Sequence, residues 1–196
     1  MEALSEALKE WAVAIDALLR GDQILLLRKG GIREEKGHFA IKADRILLFP
    51  TYEHQQPNLV KEPYRQAVST VESGHHPATI AIAGWAEITH SIPLEQASPV
   101  FSLEPFHIWS EQFVQERWAW KPNRALNVLL LRSHRLSTPV SLPYRPEYGG
   151  CRSWITLADS VSLAGSHAVL SEEVYQAQVQ QILALLNPSL EPTRLV

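Results

Sequence analysis

The chain is poor in cysteine. Cys151 stands alone among 196 residues, so an internal disulfide framework and a tetrahedral cysteine zinc site are both excluded, and a reducing compartment is the economical expectation. Also missing is any run approaching the ~18 to 20 apolar residues of a membrane-spanning helix. The opening MEALSEALKEW is acidic and periodic, unlike the basic-then-apolar start of a secretory signal, so a cytoplasmic protein with no membrane partner is expected. Phosphate-cradling glycine motifs are absent too. Gly30–Gly31 is followed by neither the glycines of a dinucleotide fingerprint nor the Lys-Ser/Thr of a Walker loop, and it reads as a turn needing positive φ. Gly-Gly-Cys151-Arg-Ser lacks the Gly-x-Ser-x-Gly elbow of hydrolases. The adjacent His75–His76 sits in a Ser-Gly-His-His-Pro loop, a poor arrangement for joint chelation, so neither metal nor cofactor is expected.

What remains is an ordinary globular composition, 45% hydrophobic and 20% charged. At this length one domain, residues 1–196, can bury roughly 70% of its unfolded surface. The net charge of −3 conceals an uneven distribution. Residues 20–45 hold seven Lys/Arg against four acids, and residues 117–152 hold seven against one. The rest of the chain is correspondingly acidic. Such asymmetry points to a polyanionic partner or to a merely solvated basic face.

Leu4, Leu8, Trp11, Ile15 and Leu18 fall on one face of a helix, stopped by Gly21. Gln23–Lys29 reads as a short central strand, apolar on both faces. Phe39–Pro50 gives another strand or two. Residues 59–73 suggest a helix with Pro63 in its first turn and Leu59, Ala67, Val68 and Val71 inward. Ala78–His90 is the clearest strand, with Ile80, Ile82, Ala86 and Ile88 on one face and Trp85, Glu87 and Thr89 on the other. Residues 93–105 look loop-like. His107–Trp118 resembles a short helix, Ala125–Leu136 a strand closed by Pro139 and Pro143, and Arg152–Leu157 a last strand. Ser171 caps a final helix with Val174, Val179, Ile182, Leu183 and Leu186 as its core stripe. Strands and helices do not alternate strictly, which favours an α+β, barrel-like fold over a doubly wound sheet.

Two chemistries fit parts of this pattern. Asp22 followed by Glu34-Glu35-Lys36 loosely matches the carboxylate–carboxylate–lysine set with which restriction-type nucleases hold Mg²⁺ and steady the attacking water. Against that, Glu-Glu-Lys-Gly is turn composition rather than a rigid strand. The second chemistry lies in the aromatics. Six tryptophans are present, and Trp109, Trp118 and Trp120 stand beside Arg117, Lys121 and Arg124. Cations for phosphate interleaved with rings for base stacking suit nucleic acid, although a short helix needs core tryptophans as well.

The combination ALKEW, LLRKGGIRE, LLFPTYEHQ, WKP and EYGGCRSW resembles a bacterial family of domains of unknown function, family 1802, over nearly the whole chain. More distantly, Gly31-Ile32-Arg33, Leu48-Phe49 with Tyr52 and His54, Gly84-Trp85-Ala86-Glu87 and Arg135-Leu136-Ser137-Thr138-Pro139-Val140 are similar in order to EVE domains of the PUA-like superfamily. The opening ALLRGDQILLLRKG resembles ASCH domains of the same superfamily. This resemblance implies a small mixed β-barrel with flanking N- and C-terminal helices and an inserted helix, accepting RNA or a flipped, often modified, DNA base. The sequence departs from the EVE pattern where Glu34-Glu35-Lys36-Gly37-His38 replaces an asparagine-rich segment. On this reading Trp85, Tyr52 and Trp154 form stacking surfaces or pocket walls. Arg33, Glu34, His38 and His54 make polar contacts, and Arg28, Lys29, Arg132 and Arg135 serve phosphates, the last two from opposite strand faces. The alternatives are the nuclease built on Asp22, Glu34 and Lys36, or a domain whose aromatic surface meets another protein.

Overall fold

The computed structural model describes residues 2–29, 43–72, 76–150 and 152–186. Expectations placed on Gly30–Gly31, Arg33, Glu34, Lys36, His38, His75 and Cys151 lie outside the described residues. The first departure from the sequence reading comes at once: the proposed N-terminal helix is half strand. Residues Ala3–Trp11 form β1, and only Ala12–Arg20 form helix α1. β1 pairs with a neighbour on each side, and Ala7 and Leu8 are fully buried. Leu4 and Leu8 sit four residues apart, which suits one face of a helix or one face of a strand equally, so long-range pairing decided the outcome over local propensity. Helix α1 ends as expected at Gly21, whose φ of 82° gives the left-handed cap.

After α1 come β2 (Leu25–Arg28), β3 (Arg45–Thr51), β4 (Thr79–Leu94), α2 (Ala97–Ser102), α3 (Glu111–Ala119), β5 (Leu126–Pro143), β6 (Trp154–Ser162), β7 (His167–Ala168) and α4 (Glu172–Leu186). The fold is α+β. One sheet runs in the order β2-β5-β4-β3-β1-β6, with β7 added to β5. β1 and β3 are parallel and the other pairs antiparallel.

β2 is buried on both faces but lies at the end of the sheet rather than in its centre. Its edge is covered by the segment around α3. Ile108 N donates to Gln23 Oε1 at 3.0 Å, and the Lys29 ammonium donates to the Trp118 carbonyl. The helix expected over residues 59–73 is instead two 3-10 turns, Pro57–Leu59 and Glu62–Ala67. Ala67 is exposed, and only Leu59 of the expected inward set is fully buried. Part of the expected loop at 93–105 is helix α2.

The long antiparallel pair β4–β5, whose connection carries α2 and α3, has register shifts at Ala83 and Thr89. The first overturns the expected single face of β4. Ile80 and Ile82 share a smaller core with Trp85, Leu47, Phe49, Ile155 and Leu157, whereas Ala86 and Ile88 face the larger core beneath the helices. Gly84 sits where the strands close on α1. A Cβ there would lie 2.4 Å from the His134 carbonyl oxygen and 2.4 Å from Leu19 Cδ2. The sheet thus curls about the smaller core, with helices over the larger.

α4 starts at Ser171, whose hydroxyl accepts from Val174 N at 3.3 Å, as the sequence indicates. Its buried stripe is Tyr175, Val179, Ile182 and Leu186, and Val174 faces solvent. The second helix cap, Ser110 of α3, accepts from Phe113 N at 3.3 Å.

Candidate functional site

Parallel β1 and β3 both end at one rim, where a cleft of about 320 Å³ opens. β1 supplies its last three residues, Lys9, Glu10 and Trp11, and the turn after β3 supplies Glu53 and His54. The end of β2 adds Arg28 and Lys29. α3 and the residue beyond it add Arg117 and Trp120, and the approach to β6 adds Arg152. Five cationic side chains therefore face two carboxylates. The two basic windows of the sequence meet here, Arg28 and Lys29 from the first and Arg117 and Arg152 from the second.

Arg28 and Glu10 make an ion pair at 2.7 Å with both side chains largely buried. In the sheet their strands are separated by β5, β4 and β3. The pair therefore spans the gap between the curled sheet's β2 end and β1, closing by side chains what backbone pairing leaves open. Lys9 donates to the carbonyls of Tyr148 at 2.6 Å and Gly150 at 3.0 Å, tying down the loop before β6. Lys29 is 2% exposed, and burial holds its ammonium below the ordinary lysine range. Burial likewise lowers Arg117, with Arg28 adding to the effect and Glu10 opposing it. A guanidinium so treated remains a cation. Its carbon sits 4.8 Å from the centre of the Phe113 ring.

These internal bonds do not exhaust the donors. An arginine has five N–H groups, so Arg28 keeps hydrogen atoms for a further acceptor while its ion pair with Glu10 fixes its position. Arg152 is exposed. Trp120 is 46% exposed, with the Lys121 ammonium 4.2 Å from its ring centre. A rim of fixed cations with an uncovered indole is suited to anions that carry a flat ring.

Of the sequence-derived candidates, Arg28, Lys29 and His54 meet in this cleft. His54 is exposed and holds a left-handed φ of 63°. Tyr52 lines a smaller hollow next door that shares Lys9, Thr51 and Glu53 with the cleft. Trp85 and Trp154 are not in it. Trp85 is 4% exposed, stacked on His134 at 3.9 Å, and donates from Nε1 to Ser166 Oγ at 3.0 Å. Trp154 is 5% exposed and packed in the larger core. Arg132 pairs with Glu172 and, like Arg135, does not line the cleft. Arg33, Glu34 and His38 lie outside the described residues. Sequence reasoning missed Lys9, Glu10, Trp11 and Arg152 as site residues. Arg117 and Trp120 were signalled only by the mixed aromatic and basic run around α3.

The nuclease set gains no support. Asp22 is engaged by Arg20 at 2.9 Å, and its two intended partners are outside the described residues. Among the described residues no group of three or more His, Cys, Asp or Glu side chains is arranged to hold a metal. No helix among them is long and apolar enough to cross a membrane.

The family model of DUF1802, a domain of unknown function, matches residues 7–181. The chain belongs to this family. The DUF1802 match spans β1 at Ala7 through most of α4, and so takes in every element that lines the cleft. No curated protein matches the chain. Among solved structures it is similar to ASCH from Zymomonas mobilis, at 13% identity and a TM-score of 0.45, over 89% of this chain and 93% of that one. Two substituted forms of that protein match comparably. One has 13% identity and a TM-score of 0.44 over 90% and 94% of the two chains, and the other 15% and 0.42 over 89% and 96%.

Proposed function

We propose that this DUF1802 chain is a non-catalytic nucleic-acid- or nucleotide-binding module and that the cleft holds the phosphates. The observation that carries the reading is the convergence of Arg28, Lys29, Arg117 and Arg152, drawn from the two basic windows of an otherwise acidic chain, on one rim. Convergence from distant segments is not expected of cations that only solvate a surface. Fixed guanidinium and ammonium groups pay little ordering cost when an anion arrives. Glu10 is consumed by Arg28, which leaves the cleft's remaining charge strongly positive.

The test is fluorescence anisotropy with short single-stranded RNA and DNA, plain and base-modified, across a salt series. Each phosphate contact adds roughly 0.7 to the slope of log affinity against log salt for single strands. Arg152→Ala, at an exposed position, is expected to reduce that slope by about one contact's worth without loss of folding. Affinity that ignores salt, or no binding at low salt, refutes the proposal.

A further inference from the structure

A second hollow of about 250 Å³ adjoins the cleft and shares three walls with it, Trp11, Arg117 and Trp120. The remaining walls are Leu59, Phe113 and Glu116. Its walls are thus three aromatic rings and a leucine, with one guanidinium and one carboxylate at the edge. The rings are braced from behind. Trp11 meets Trp109 edge-on at 5.3 Å and Phe113 edge-on at 5.7 Å, and Trp109 stacks on Phe113 at 4.1 Å. Trp109 is fully buried, so the aromatic wall rests on the core. Trp120 is the exception, an indole left 46% exposed at the boundary of the two compartments. An exposed tryptophan beside both an apolar hollow and a basic cleft calls for a ligand with both characters.

Resting on the phosphate-binding reading, we infer that the aromatic hollow takes a single unpaired base of the nucleic acid whose backbone lies in the basic cleft. The hollow is smaller than the ~300–1,000 Å³ of sites that enclose a whole small molecule, and so has room for a planar ring system rather than an entire nucleotide. Arg117 lines both compartments, so a ring held in the hollow and joined to an anion in the cleft would lie beside its guanidinium. A base stacked inside a helix has no face to offer Trp120, so the arrangement selects unpaired strands over duplex. Glu116 at the edge accepts from Gln112 Nε2 at 2.8 Å through Oε1. Its second carboxylate oxygen is a hydrogen-bond acceptor that favours a base with an exocyclic amino group.

The experiment compares three probes of equal length against the intact protein: a base-bearing single strand, the same strand made abasic, and a hairpin duplex. The single strand is expected to bind about 5- to 150-fold more tightly than the abasic strand. Trp120→Ala is expected to abolish that difference, read as the ratio of base-bearing to abasic affinity measured on the same variant, and Trp120→Phe to restore part of the ratio. Equal binding of base-bearing and abasic strands overturns the base compartment while leaving the phosphate-binding cleft standing. A duplex that binds as tightly as the single strand also overturns it. If no probe binds at low salt, the phosphate-binding reading fails and takes this inference with it.

Discussion

His107 lies between α2 and α3 and is 4% exposed. Burial drives its imidazole down from the ordinary value of 6.5 to about 4, and the neighbouring Lys61 ammonium adds to the effect against partial relief from Glu104. Below pH 6.5 the unfolded chain takes up a proton there that the folded chain refuses. This part of the stability is therefore complete above pH 6.5, falls as pH drops toward 4, and is constant below. The interval converts to about 3 kcal/mol in full, and most of it is gone by pH 4.5. Urea unfolding followed by tryptophan fluorescence at pH 7 and pH 4.5 reads this directly when wild type is compared with His107→Gln. Carboxylates titrate in both proteins, so their share cancels in the difference. The variant is expected to lose about 2–3 kcal/mol less than wild type between the two pH values. Equal losses would show that His107 is protonated in the folded protein and would refute the reasoning.

Three further outcomes follow from the packing and the cleft. Gly84→Ala forces a methyl group against the His134 carbonyl and Leu19, so a loss of about 1–3 kcal/mol is expected in thermal or urea unfolding, and a neutral result would place those strands further apart. Glu10→Gln leaves Arg28 without its partner; unfolding should show a loss of about 1.5–3 kcal/mol, while affinity for a single-stranded oligonucleotide rises because a cleft carboxylate is gone. Ser110→Ala removes the α3 cap, costing about 1 kcal/mol, and should weaken base-dependent binding through displacement of Phe113 and Trp120, measured by the same anisotropy titration.

Punctuation and sustained periodicity made some elements readable in advance. Gly21 ends α1 and Ser171 begins α4, each a residue of fixed conformational preference, and the Ala78–His90 and Ala125–Leu136 segments fall on β4 and β5, each starting one residue before the strand. β1 was hidden because ALSEALKEW is composed of good helix formers, and only partners more than thirty residues away, at Leu47 and Trp154, make it a strand. The register shift of β4 at Ala83 does carry a local mark, because a glycine inside a strand, here Gly84, is a sign of a bulge, whereas the apolar alternation alone conceals it. For the site, Arg28 and Lys29 stood out as cations following an apolar strand. Arg152 and Lys9 are ordinary in sequence and acquire a role only through the curl of the sheet. Trp85 illustrates the reverse case, an aromatic that looked available and is occupied by His134 and Ser166.

The Arg28–Glu10 pair has a double allegiance. It joins two strands that share no backbone ladder, and it lies in the wall that an anion would touch. A phosphate drawing on Arg28 thus draws on the clasp that fixes how far the β2 end stands from β1. On the proposed function, one guanidinium would serve both the cleft's anion and the spacing of β2 from β1, the strand that α1 follows directly.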